Sequence, residues 1–308
     1  MWRRLAAAIP ALALIHLLGF AYALSAMRVH EQRSPFGSPG EGSLIAEVRA
    51  HIDDVLRGDF GDLPRSQGAV SDVTVAALGR SMLVLGPAFA VSAFVGLYLG
   101  AAAARQNPTR LAGWLFPVAV LLQSLPSFYI GALLTAGLLA LEWADVSVQG
   151  NWIWPVLVLA ARPTVQVAQF VASLIMAESD KQYVVTARGV GHSFGSARRV
   201  HVFPNIAASV VGCLAAAFRL SVAELVVVEW LFDWPGIGRL MGMALIVPRR
   251  TDALAPFFLH PELTALVFTA LAFLFIVADV VARASTKVVD PRLRTPLESA
   301  AKNGRLST

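Results

Sequence analysis

YVVTARGVGHSFGSARRVHVFP, residues 183–204, interrupts a largely apolar sequence with three arginines, three glycines and a closing proline. Apolar runs of about membrane-spanning length flank it, from about Trp152 to Met176 and from about Ile206 to Val228. A basic segment between two such runs is a loop at one membrane face. Within the loop, Ser179 or Asp180 is placed to cap a short helix from near Lys181, with Tyr183, Val184 and Ala187 on its apolar side. Gly189 and Gly191 end that helix, because glycine accepts the left-handed conformation of a helix stop. Ser196 is placed to cap a second short helix through Val200, and Pro204 suits the first turn of the next span. Two readings follow: a structured peg on the membrane surface, or an ordinary basic loop held near anionic headgroups.

Outward from this loop the same apolar pattern recurs. Of the 308 residues, 56% are hydrophobic and 15% charged, against about 25% charged in a soluble domain. Six spans are predicted, at about Leu5–Met27, Ser81–Ala104, Leu111–Leu141, Trp152–Met176, Ile206–Val228 and Leu263–Val281. Lipid supplies no hydrogen bonds, so each should be helical. The fold class is therefore an all-α polytopic membrane protein with six transmembrane helices. The N-terminal MWRR and its apolar run read as a retained anchor helix, residues 1–27, rather than a cleaved signal.

Orientation follows from the basic residues. Arg3 and Arg4, Arg105 and Arg110, Lys181 with Arg188, Arg198 and Arg199, and Arg283 through Arg305 all fall on one side of a six-span chain. The positive-inside rule makes that side cytoplasmic, with both termini there. Residues 28–80 carry slightly more acids than bases and form an external segment. In it HEQRSPFGSPGEG (30–42) reads as a linker, and Leu44 to Leu56 as an amphipathic helix with Ser43 as cap and Gly58 as stop. A core of five spans follows over 81–282, containing the loop 178–204, and then a polar tail over 283–308.

The loop resembles the EAA signature of ABC importer permeases, E-A-A, three residues, G, nine residues, I-x-L-P. Val185, Thr186 and Ala187 stand at E-A-A, Gly191 at the glycine, and His201, Phe203 and Pro204 at I, L and P. TAR followed by glycine is the form usual in the DppB/OppB-like branch for dipeptides, oligopeptides and nickel. VVEWLFDWPGIGRL (227–240), VLRGDFGD (55–62), LQSLPSFYIGALL (122–134) and DPRLR (290–294) are similar to further elements of that branch. The chain departs from the family where SAMRVHEQRSPFGSPG replaces an L-x-PGDP element, and where Val185 replaces the glutamate.

The resemblance implies a type I ABC importer permease. Tyr183, Val185, Thr186, Ala187, Arg188, Gly191 and Pro204 would then belong to a coupling helix that docks on a separate ATPase. The chain has no GxxxxGK[ST] phosphate loop, so ATP and Mg²⁺ would be bound by partner ATPase subunits and no cofactor by this chain. The implied partners are a second homologous permease, two ATPases, an external substrate-binding protein and membrane lipid, with no nucleic acid. Glu229, Phe232, Trp234, Pro235, Gly236 and Gly238 read either as an external gate or a surface for a substrate-binding protein, or as a headgroup-level anchor. Among intramembrane ionisable residues, Arg219 and Glu224 are candidates for a pathway or a subunit interface. Arg162 and Asp279 suit snorkelling near span ends. His192 and His201 read as solvated rather than metal-binding, and Cys213 as a buried apolar residue. An intramembrane enzyme lacks a catalytic constellation. A stand-alone secondary transporter would need a midplane ion site and inverted repeats, neither of which stands out.

Overall fold

Eleven helices and one π-helical turn account for nearly all the regular structure among the described residues. The computed structural model describes residues 2–33, 43–64, 68–104, 108–142, 151–246 and 257–289. The helices are α1 (Trp2–Arg33), α2 (Leu44–Leu56), α3 (Val70–Ala103), α4 (Pro108–Ser124), α5 (Ser127–Glu142), α6 (Ile153–Ser179), α7 (Gln182–Gly189), α8 (Phe194–Ala197), α9 (Phe203–Leu231), α10 (Ile237–Leu245) and α11 (Pro261–Val289). Among the described residues five stretches are long and apolar enough to cross a membrane, and α4 with α5 make a sixth if they form one span. Arg105, residues 34–42 of the linker and the DPRLR segment lie outside the described residues.

Three expectations are corrected. The third span is not one helix. Its parts, α4 and α5, meet at a bend of 95°. Pro126 is the cause: it has no N–H to donate and pushes Leu125 out of the helical region. Helix α3 begins eleven residues before the predicted Ser81, because Asp72 and Arg80 keep residues 70–80 out of an apolar window without opposing helix formation. Helix α1 continues to Arg33, through the first residues of the predicted linker.

The contacts divide the chain into two compact units. The first takes in Met1–Gly86, Gly131–Val156 and Val222–Ile276. In it α1 and α11 approach closely at Gly19, where a Cβ would lie 3.1 Å from Ala265 Cα. Phe20, Leu24 and Ala265 form a small core there, packed by Met27 and Val48. His51 seats α2 on this core. Its ring stacks on Phe20 with centroids 3.8 Å apart, and its Nε2 lies 3.0 Å from His16 Nε2. His16 Nδ1 is 3.0 Å from Thr269 Oγ1, whose hydroxyl already donates to the Ala265 carbonyl. Thr269 therefore accepts from His16 Nδ1–H, and His16 Nε2 accepts from His51 Nε2–H. Ser43 occupies the N-cap position of α2 without a side-chain cap bond, contrary to expectation. Gly58, at φ +81°, does end the helix.

The second unit takes in Pro87–Ile130, Leu157–Ser221 and Val277–Thr308. Here α3 lies on α6 through Gly96 and Gly100, one helical turn apart. A Cβ at Gly100 would sit 2.6 Å from the Ala168 carbonyl oxygen, and one at Gly96 2.8 Å from Val167 Cβ. Removing side chains lets two backbones close up, the means by which helices associate where no hydrophobic effect drives them together. Val167, Val171 and Ile175 of α6 then form one core with Val184, Ala197, Val202 and Ile206. The loop after α6 is thereby packed onto the helix it leaves.

Candidate functional site

Two constructions carry the residues singled out in the sequence. The first is the loop 181–204. Helix α7 starts at an N-cap of Lys181, not Ser179 or Asp180, since Ser179 remains inside α6 and bonds the Ile175 carbonyl. Val184 is buried and Ala187 half-buried, which gives α7 its inward side, while Val185, Thr186, Arg188, Gly189 and Val190 face solvent. Tyr183 belongs to neither group. Its hydroxyl donates to Glu178 Oε1 and accepts from Asn205 Nδ2 at 2.9 Å, tying α7 to α6 and α9.

Gly191 closes the helix. At φ +104° it bonds back to the Arg188 carbonyl at 3.1 Å, and His192 N–H reaches the Ala187 carbonyl at 3.2 Å. These are the two bonds of a Schellman stop. The next cap is Ser193, whose Oγ accepts from Ser196 N–H at 3.3 Å, so Ser196 supplies the N–H that is capped and is not itself the cap. The second short helix is not separate. Helix α8 runs through a π-helical turn, Arg198–Val202, directly into α9. Pro204 explains the turn: a regular helix would press its ring on the Val200 carbonyl, and a widened turn relieves that clash.

Arg198, passed over among the candidate site residues, anchors the construction. It is buried and donates to the carbonyls of Ala101 (2.8 Å) and Ala104 (3.5 Å), acceptors that the end of α3 leaves without helical partners. Phe194 and Phe203 flank its guanidinium at 5.6 Å. An arginine seven residues after the helix stop at Gly191, among phenylalanines, was the available signal. His192 and His201 meet edge to face with centroids 5.6 Å apart. Among the described residues no third ligating side chain joins them.

The second construction is the corner between α9 and α10. Helix α9 ends on Asp233, at φ +53°, with Asp233 N–H bonded to the Trp230 carbonyl and Trp234 N–H to that of Glu229 at 2.8 Å. This is the same stop as at Gly191, with aspartate in the left-handed place that it tolerates better than most residues. Arg239 holds Asp233 at 2.6 Å. Glu229 is fully buried, and its Oε2 accepts the Gly238 N–H at 2.7 Å at the start of α10. Ser81 Oγ accepts Ile237 N–H at 2.8 Å, and Trp234 Nε1 donates to the Arg80 carbonyl at 3.0 Å. A Cβ on Gly236 would overlap the Glu229 carboxylate, and one on Gly238 the Val226 backbone. Phe232 and Trp234 are half-buried and Pro235 exposed.

The intramembrane candidates separate. Arg219 Nη1 stands 3.7 Å from Asp279 Oδ1, and Arg283 holds the same carboxylate at 2.5 Å. Asp279 thus pairs with two arginines. Glu224 is buried. Arg162 lies within hydrogen-bonding reach, 3.4 Å, of the Gln123 carbonyl, which the bend at Pro126 takes out of regular helix pairing.

The family of binding-protein-dependent transport system inner membrane components matches residues 96–295. The chain belongs to this family. The permease is 27% identical over 260 residues to the glutathione transport system permease protein GsiC of Salmonella paratyphi A, covering 78% of this chain and 84% of that one. GsiC of Salmonella choleraesuis matches to the same extent. A Brucella abortus protein provisionally named a peptide transport system permease is 27% identical over 219 residues, covering 67% of this chain and 66% of that one. The permease is accordingly a multi-pass membrane component of a DppB/OppB-like ABC importer. ATPase and substrate-binding partners go with that family, and a stand-alone secondary transporter is disfavoured.

Proposed function

We propose that this chain forms half of the translocation pathway for peptides or similar small solutes in an ATP-driven importer of the bacterial inner membrane. A second homologous permease supplies the other half. Two ATPase subunits bind ATP and Mg²⁺, and an external binding protein delivers the solute. Both termini face the cytoplasm, the side to which the positive-inside rule assigns the loop 181–204. The peptide class is suggested by the relatives, which are named for glutathione and peptide transport.

In this reading α7 is the coupling helix. The observation that carries it is the closure of α7 by Gly191, which leaves Val185, Thr186, Arg188 and Val190 outward on a helix fixed from behind by Val184. ATP binding can shift the spans only if the ATPases contact this peg differently in their two states. The α9–α10 corner serves as the external gate, held shut or open as a unit by Glu229. Arg219 and Asp279 face a partner subunit or the pathway.

The experiment is uptake with Gly191→Val and Ala187→Trp in the assembled transporter. A branched residue at a left-handed position costs about 1–2 kcal/mol locally, enough to unmake the helix stop without unfolding six spans. Both variants should insert normally and lose uptake at least tenfold while the ATPases still hydrolyse ATP. Unchanged uptake refutes the assignment of α7.

A further inference from the structure

Along α6, Arg162, Gln166, Gln169 and Ser173 follow one another at intervals of four, three and four. At about 100° per residue they fall within an arc of about 60°. That arc is the open side of the second half of the helix. Ser173 is exposed and Gln166 and Gln169 half-buried, while Val165, Val167, Ala168, Val171 and Ile175 are buried. A helix whose open side met acyl chains would be arranged the other way round, with its polar groups turned inward.

Gln166, Gln169 and Ser173 are the polar groups of an open and otherwise apolar cavity of about 450 Å³, whose wall also includes Phe170 and Met176 of α6 and Leu115 and Phe116 of α4. Its size is that of a small-solute site. Gln123 Nε2 donates to Gln169 Oε1 at 2.7 Å, and Arg162 reaches the Gln123 backbone carbonyl. Gln166 Oε1 is buried without a hydrogen-bond partner, and it meets a passing solute only once its side chain rotates.

We infer that this stripe, Arg162–Gln166–Gln169–Ser173 with Gln123, is the part of the pathway wall that hydrogen-bonds a passing solute rich in amide and carboxylate groups. The inference rests on the transport reading above and names the chemistry of the path. Primary amides donate and accept at once, so they match peptide units in either direction. They carry no charge, so they hold a solute without trapping it, as a conducting path requires. Arg162 adds one positive group, suited to a solute carboxylate.

The test uses the complete transporter in proteoliposomes. In a Cys213→Ala background, single cysteines replace Gln166, Gln169 and Ser173, and Leu157, exposed and about 150° away around α6, serves as control. A charged, membrane-impermeant thiosulfonate is the probe. The stripe positions should react at least tenfold faster than Leu157→Cys, and an equimolar dipeptide mixture with its binding protein should slow them. Reaction no faster than at Leu157, or indifference to the dipeptides, overturns the inference. Gln166→Leu combined with Gln169→Leu should lower dipeptide uptake about tenfold with the complex intact. Dissociation of that variant's complex makes the stripe a subunit contact and also overturns it. If the unmodified complex moves no dipeptide although the stripe reacts fast, the peptide reading is the one that fails, and the amide chemistry with it.

Discussion

Glu229 and Gly238 show how much can rest on one carboxylate and one missing methyl. The carboxylate is the buried acceptor for the first free N–H groups of α10, and it sits where a Gly236 side chain would be. Gly238 meets the Val226 backbone most closely, so no rotamer change makes room there. Gly238→Ala should therefore lower the thermal stability of the purified complex more than Gly236→Ala. Glu229→Ala should cost about 1–3 kcal/mol, the range for leaving buried N–H groups without their acceptor. Equal melting temperatures for both glycine variants would contradict this packing. At this scale the sequence was legible where backbone conformation is at stake. Gly58 and Gly191 announced helix stops, and both have positive φ. It was not legible where a cap must be chosen among neighbouring hydroxyls. Ser179, Asp180, Ser193 and Ser196 all qualify chemically, and only the helix register decides for Lys181 and Ser193.

Helix α2 depends on a histidine for its seat. Burial lowers the pKa of His51 below its usual 6.5, with Glu262 and Asp54 pulling the other way. Of the groups around it, His16 lies on α1, Glu262 on α11, and Asp54 on α2 itself. Because the folded state disfavours the protonated ring, the unfolded state binds more protons below pH 6.5, and stability falls with pH there. Above 6.5 the contribution is complete. The protection factors of α2 amides, taken against the intrinsic exchange rate at each pH, should fall between pH 6.5 and 5, and His51→Phe should remove that fall. Protection factors that stay constant across the window would show that His51 is not what pins α2. Elements differ in how plainly they are written. The apolar period of α2 and the lengths of α1, α6 and α11 were readable, since burial of one face or of a whole span needs many residues in agreement. The bend between α4 and α5 was not, although Pro126 stood in plain view, because prolines at 10, 87, 117 and 163 lie inside continuous helices. Gly96 and Gly100 carried the small-xxx-small spacing, but spacing does not name the partner helix.

For the chain as a whole, the basic residues offer one consistent topology. A protease site appended after Thr308 should be cut only from the cytoplasmic side in sealed vesicles, and a cysteine in α2 should be labelled only from the outside. Labelling of both from one side would invert or break the six-span arrangement. Membrane class and family were plain from composition and from the order of the loop and WPG elements, because both are spread over hundreds of residues. The positions of Arg198 and the polar stripe of α6 were not, since they emerge only when helices from distant parts of the sequence lie side by side.

The π turn at Arg198–Val202 holds one residue more than an ordinary turn needs. Chain length at this spot is consequently a setting. Deleting a single residue there would let the hydrogen bonds fall into the regular pattern, and would swing everything upstream by about 100°. The guanidinium that closes α3 would leave its two carbonyls, and the outward residues of α7 would point elsewhere. Lineages of this protein should thus tolerate exchanges of side chain at the exposed Arg199 and Val200 but no insertion or loss between 198 and 202, and a one-residue deletion should abolish transport in a protein that still folds.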